Sequence, residues 1–317
     1  MAERDSDGAG AGDDQGEGAD TGAGDGPDPV PVPGCPDTYA VDHLLHGQPT
    51  ALSSYVVAGE APVLVDCGAA DTVDRIRTTM ATLDVAPEDV RAILVTHVHL
   101  DHAGGAGELA RACPAADVYV HERGHPYLTD PERLARLKES TDEAVGMPDA
   151  YGDADPVPAD RCVPVAGGET LELADRTFAF VDAPGHAPHH YAAIDRSSGA
   201  LFSLDAAGMY YESRVLPSTP PPSFDLEANL ATVERLRALD PAVNCYGHFG
   251  PGERGAAADE LAAYAEVLPE YVGRIDELRA EHDGAGEVLA ALGERWQTPT
   301  AYRDVAGVIR YLREREA

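Results

Sequence analysis

Thr96-His97-Val98-His99-Leu100-Asp101-His102 follows the apolar run Ala92-Ile93-Leu94-Val95 and precedes Gly104-Gly105. The run reads as a short buried strand and the glycine pair as a tight exit into a helix, so the polar cluster is predicted at a strand's carboxyl end. Its three imidazoles and one carboxylate are the ligand types that bind zinc or iron. His97 and His99 stand two apart and face the same way if the strand's period of two persists. Asp101 and His102 lie past the turn and can face a second position, about 3.5–4 Å from the first as in two-metal hydrolases. A lone histidine after a strand is most often an ordinary core or surface residue. Four such groups in one turn are different: buried without a cation they would leave many nitrogens and oxygens unsatisfied.

The 317 residues suffice for one large domain or two modest ones. Fifty-six acidic residues against 23 basic ones give a formal net charge of −33, a surface that repels nucleic acid and anionic membrane. Lys138 is the only lysine. This acidic, lysine-poor balance resembles that of proteins from salt-loving (halophilic) microbes, in which high cytoplasmic salt screens the self-repulsion. Cys35, Cys67, Cys113, Cys162 and Cys245 are odd in number, scattered and without Cys-x-x-Cys spacing, which suggests reduced thiols in a cytoplasmic setting. With no apolar run after Met1 and no apolar stretch approaching about 18 residues, the expectation is a soluble cytoplasmic protein without membrane contact.

Residues 1–34 are mostly Gly, Ala, Asp, Glu and Pro, and their composition predicts a disordered acidic arm. Beyond them Tyr55–Ala58 and Val63–Asp66 read as a hairpin, and Asp71 as the N-cap of a helix with the stripe Val73, Ile76, Met80 and Leu83. After the metal cluster come a helix to about Ala112, a strand at Val118–Val120 and a charged helix from Pro131 to Glu143. Residues 145–160, rich in Gly, Pro, Asp and Ala, read as a long loop able to overhang the site. Strands are predicted near 171–173, 178–181, 191–194 and 201–204, a helix at about 226–239, and a short strand at 242–246. From Arg254 onward the pattern is helical. A strand-rich body with helices on its faces and a helical tail predicts an α/β sandwich. The chain therefore divides into the arm, a body over 35–253 and a helical region over 254–317.

Three further landmarks repeat the placement of a ligand at the end of an apolar strand. Phe178–Val181 leads into Ala183-Pro184-Gly185-His186-Ala187-Pro188-His189-His190, Leu201–Leu204 ends in Asp205, and Ala242–Tyr246 ends in Gly247-His248. Each alone is a weak signal; Asp205 alone could be a turn residue. Together with Asp66 and the first cluster, over about residues 38–250, they resemble the metallo-β-lactamase-fold hydrolases, whose five landmarks occur here in order. The resemblance implies an αββα sandwich with a C-terminal helical appendage. It implies that His97, His99 and His186 hold one metal and Asp101, His102 and His248 a second. Asp205 would bridge them, and Asp66 would support the ligands from behind.

Among branches, the chain is most similar to the glyoxalase II (hydroxyacylglutathione hydrolase) group and its thioester- and lactone-cleaving relatives, through His-x-His-x-Asp-His-Ala-Gly-Gly and Pro-Gly-His-x-Pro. It departs at Leu204 and His189, where the family usually has glycine. The expected activity is a binuclear metallohydrolase that cleaves a thioester or ester/lactone of a small molecule by attack of metal-bound hydroxide. Two Zn2+ ions are expected, and iron or manganese suits the same ligands. Asp101 would orient the nucleophile and accept its proton. His189 and His190 would shape the substrate wall or the surroundings of the ligands, with His190 either bonding substrate or serving structurally. Rivals are a ribonuclease or phosphodiesterase of the same fold, opposed by the net charge; a mononuclear persulfide dioxygenase, opposed by the seven retained positions; and a non-catalytic metal-binding module. The carboxyl-terminal helices would cover the site or mediate homodimer contacts.

Overall fold

A computed structural model describes residues 28–317 of the chain. Seven strands form one sheet in sequence order: β1 (Val30–Pro31), β2 (Thr38–Asp42), β3 (Ser53–Val57), β4 (Val63–Val65), β5 (Ala92–Val95), β6 (Asp117–His121) and β7 (Cys162–Val165). Pairing is antiparallel from β1 to β4 and parallel from β4 to β7. The second sheet is built from β8 (Thr170–Glu172), β9 (Thr177–Asp182), β10 (Tyr191–Asp195) and β11 (Ala200–Phe202). After a separate hairpin of β12 (Met209–Tyr211) and β13 (Arg214–Leu216), β14 (Val243–Cys245) joins that sheet, giving the spatial order β14-β11-β10-β9-β8. The helices are α1 (Val73–Thr82), α2 (Leu100–Ala103), α3 (Ala106–Ala112), α4 (His125–Thr129), α5 (Pro131–Val145), α6 (Leu226–Arg237), α7 (Ala257–Leu278), α8 (Gly284–Leu292) and α9 (Ala301–Glu316).

The layering follows from strand alternation. In β5, Ala92 and Leu94 pack between the two sheets with Tyr55, Phe178, Tyr191 and Phe202. Ile93 and Val95 turn the other way, onto Val73, Ile76 and Leu109 of α1 and α3. A strand buried on both faces must be apolar throughout, which explains its uninterrupted run. On the outer face of the second sheet, Ala192, Ile194 and Leu201 pack with Val233 of α6, Leu261, Tyr264 and Leu268 of α7, and Val305 and Val308 of α9. Each such large side chain contributes about 1.5–3 kcal/mol by leaving water. The result is helices, sheet, sheet, helices, with α7, α8 and α9 as the helical appendage. No helix among the described residues is long and apolar enough to cross a membrane. All five cysteines are buried and unpaired.

Three expectations need correction. The arm predicted over 1–34 lies mainly on residues 1–27, outside the described residues, but its last part is built into the fold. Val30 and Pro31 pair with Ala40 and Tyr39, and Val32 is 2% exposed in the inter-sheet core. A Val-Pro-Val-Pro run suits an edge strand, where proline's missing N–H is not needed. Asp71 does not cap α1: residues Ala70–Thr72 wind into a 3-10 turn first, and the helix starts at Val73 without a side-chain cap. The strand predicted to run to Leu204 stops at Phe202, because Leu204 begins a 3-10 turn over Leu204–Ala207 at φ 44°.

Candidate metal centre

β4 and β5 are parallel, and β9, β11 and β14 all run in one direction, since β9 and β11 are each antiparallel to β10 and β14 is parallel to β11. The carboxyl ends of these strands deliver Asp66, the 96–102 turn, the 183–190 loop, Asp205 and His248 to one edge of the sandwich. The loop after β9 needs Gly185: at φ 133° it lies against Asn229, and a Cβ there would collide with that residue's backbone.

Four imidazoles have Nδ1 tied to a partner behind them, which turns Nε2 toward the centre of the cluster. His102 Nδ1 donates to Asp66 Oδ2 at 2.8 Å, His186 Nδ1 to the Ser218 carbonyl at 3.0 Å, His248 Nδ1 to the Ala51 carbonyl at 2.6 Å, and His97 Nδ1 to Thr96 Oγ1 at 3.2 Å. His99 is turned round, with its Nδ1 3.0 Å from His186 Nε2. Asp66 is held in turn by the Thr96 backbone N–H and hydroxyl at 2.8 and 2.9 Å. The donor atoms fall into groups lying within 4.8 Å of one another, among them His97 with His99 and His186, and Asp101 with His102 and His248. Asp205 sits between these two sets. Its Oδ1 is 3.6 Å from His102 Nε2, and its Oδ2 is 3.5 Å from His186 Nε2 and 3.4 Å from His248 Nε2.

This arrangement passes a chemical test for divalent cations. His97 Nε2, His102 Nε2 and Asp205 Oδ1 are buried without a hydrogen-bond partner, an expensive state unless a cation satisfies them. Burial holds the His97 and His99 imidazoles well below their ordinary pKa, in the neutral form that ligates. Burial opposes ionisation of Asp205, yet His248, His102 and His186 outweigh it and hold the carboxyl well below the usual range. Burial also opposes protonation of His102, but Asp205, Asp101 and Asp66 push it up to about 10. Three carboxylates thus demand positive charge here, and divalent ions are the cations this N/O donor set accepts.

His189 and His190 part company. His190 is wholly buried, its ring stacked on His97 at 4.6 Å between centroids, with no hydrogen-bond partner for either nitrogen. It lies behind the ligands and does not line the cavity, so of its two expected roles the substrate contact is not realised. His189 does line the cavity, and its Nδ1 accepts the Val98 N–H at 3.4 Å.

That cavity, about 450 Å³, opens over Asp101, Asp205 and His248. The long stretch 145–160 overhangs it as expected, through Tyr151, with α5 beside it. For its other walls, sequence reasoning expected the carboxyl-terminal helices to cover the site or mediate homodimer contacts, but named none of the residues. Arg303 and Asp304 of α9 and Thr300 just before it face the cavity, as does the proline-stiffened strap Ser218–Ser223. Asp304 Oδ1 accepts the Thr219 N–H at 2.6 Å, and in the neighbouring residue the Ser218 carbonyl accepts from His186 Nδ1 while its hydroxyl donates to Asp205 Oδ2 at 3.1 Å. The carboxyl-terminal helix therefore covers the site and braces two of its residues. Tyr151 had a signal, as the one aromatic in the 145–160 stretch; Ser218 and the α9 residues had none.

Burial raises the Asp304 carboxyl to about 6. A carboxyl raised on folding contributes stability that is complete below its unfolded value of 3.8 and is lost as pH rises through 6. Asp304→Asn keeps an acceptor for Thr219 and offers Thr300 a donor in place of an acceptor. It should flatten the pH dependence of Tm between about 4 and 6 and match or exceed the parent at pH 8, whereas Asp304→Ala should melt lower throughout. A large loss for Asp304→Asn at pH 8 would mean that the charge itself is needed.

A family model described as the metallo-beta-lactamase superfamily matches residues 47–248. Metallo-beta-lactamase fold-containing protein ST1585 of Sulfurisphaera tokodaii is 30% identical over 205 residues, 64% of this chain and 74% of that protein. Its crystal structure superposes with a TM-score of 0.63 at 24% identity, covering 90% of this chain and all of that one (100%). An N-acyl homoserine lactonase of Bacillus cereus is 26% identical over 205 residues, 63% of this chain and 68% of the relative. A hydroxyacylglutathione hydrolase of Xanthomonas campestris is 31% identical over 158 residues, 50% of this chain and 46% of the relative.

Proposed function

Given that the chain belongs to the metallo-beta-lactamase superfamily, we propose that it is a hydrolase that holds two divalent cations, zinc by default, and cleaves a thioester or ester/lactone of a small molecule. One observation carries the reading: two three-residue donor sets, His97–His99–His186 and Asp101–His102–His248, with Asp205 between them. The lactonase and the hydroxyacylglutathione hydrolase among the relatives support a carbonyl substrate, both at low identity.

Cations bound there would supply Lewis acidity toward a carbonyl and a water activated near neutral pH. The chain's own residues do the rest. Asp66 fixes the tautomer and direction of His102, and the Ser218 carbonyl does so for His186. Asp205 keeps Oδ1 open while Ser218 occupies Oδ2. Asp101, 8% exposed and lining the cavity, would orient the attacking water and take its proton. His189, Tyr127 and α5 wall the space a small substrate would fill.

Elemental analysis of protein purified without chelator, followed by assays on thioesters, lactones and phosphodiesters, tests the reading. About two metal ions per chain and cleavage of a thioester or lactone are expected. Fully folded protein with one ion or none, or turnover confined to phosphodiesters, would reject it.

A further inference from the structure

The cavity wall contains a cation that the metal chemistry does not use. Arg303 of α9 faces the cavity, and its Nη1 donates to the Tyr151 hydroxyl at 2.7 Å. Tyr151 is itself 3% exposed and stacks on His46 at 5.8 Å, so the hydroxyl that steers the guanidinium is held in place. Among the described residues the Arg303 side chain forms no ion pair with a carboxylate, and its hydrogen bond is the one to Tyr151. The two other arginines at the cavity are different: Arg133 and Arg136 lie on exposed α5 and are paired along their own helix with Asp130 and Glu132, at 3.7 and 3.8 Å. Asp101 and Asp304 lie near enough to favour its charge without bonding it, so in a chain with 56 acidic and 23 basic residues a guanidinium in this cavity whose side-chain hydrogen bond goes to a phenol is conspicuous. Its remaining N–H donors form a planar fork suited to two parallel bonds with a carboxylate.

We infer that Arg303, steered by Tyr151, anchors a carboxylate carried by the substrate at a distance from the reacting carbonyl. The scissile bond rests on the hydrolase reading above; the anchor does not, since it is a binding site that can be read without turnover. A substrate bearing such a group would lie with its reacting end over Asp101 and Asp205 and its anionic end on α9. The substrate class is then an acidic acyl thioester, ester or lactone, and the reaction that supplies it must attach the acyl group to, or close the ring on, a molecule that keeps a free carboxylate.

The test is calorimetric binding of malonate, succinate and glutarate to the metal-loaded protein, each against its own monoamide, which retains one carboxylate for the metal side. The parent should prefer at least one diacid over its monoamide by about tenfold or more, the scale of hydrogen bonds to a charged group. Arg303→Gln should abolish that preference while leaving monoamide binding and metal content in place. No preference in the parent, or no binding of any probe, overturns the anchor; a preference that survives in Arg303→Gln overturns its assignment to Arg303. Should Arg303→Gln lose its metals, Arg303→Lys decides. Charge without the fork should leave a reduced preference, and an undiminished one counts against the proposal. A diacid preference in a protein that hydrolyses nothing on the panel would leave the anchor standing and remove the hydrolase.

Discussion

Asp205→Asn is expected to bind about one divalent cation per chain in place of two, and to lose at least about 10²-fold in turnover on the best substrate. The substitution keeps the shape of the side chain but replaces a carboxylate that faces His102, His186 and His248 with a neutral amide. An amide nitrogen cannot ligate, so only one of the two faces of this residue retains a donor. The charge loss reaches further than the ligand count. Asp205 contributes most among the carboxylates that raise His102, and without it the His102 imidazole should titrate well below the value of about 10 to which they push it. That shift can be followed by NMR in chelated protein, independently of activity. Full turnover with two ions retained would show that Asp205 does not bridge.

The site was legible because its chemistry is written in residue types. A strand such as Ala92–Val95 must be apolar on both faces to sit between a second sheet and two helices, so its end is easy to find, and the polar groups beyond it stand out. The same holds for Asp205 and His248. Leu204 looked like a departure, since a glycine is usual there, and its φ of 44° shows why glycine suits the position. The left-handed conformation costs about 1–2 kcal/mol, while full burial of leucine returns about 1.5–3 kcal/mol. Leu204 is completely buried in the inter-sheet core, so the two effects nearly balance and the leucine is tolerated.

What the sequence concealed were contacts of long range and elements with weak patterns. The strands of the β12–β13 hairpin are three residues each, and β7 carries Pro164, which an edge position permits but a pattern search reads as a break. The helical period of 257–278 and of the segments after it was visible, yet nothing in a period says where a helix docks. Arg303 meets Tyr151 across 152 residues of chain, and Thr219 meets Asp304 across 85. These pairings emerge only when α9 packs on the second sheet, and they turn a helical appendage into a wall of the cavity.

Asp101→Asn separates hydrolysis from metal binding. Asp101 shares a donor set with His102 and His248, and it also lines the cavity where a substrate must lie. The amide keeps one oxygen donor and the shape, but lacks the charge and the basicity. The His97–His99–His186 set is untouched, so one cation should remain at near-parent affinity. The second should bind more weakly, because the set loses its anionic member. Turnover should fall by about 10²–10⁴-fold, the contribution of a positioned acid–base group, and the loss should persist when the assay is saturated with added metal. That persistence is the decisive reading: rescue by excess metal would reduce Asp101 to a ligand. A variant that binds two ions normally and turns over at the parental rate would mean that the proton is taken elsewhere and that the proposed role is wrong.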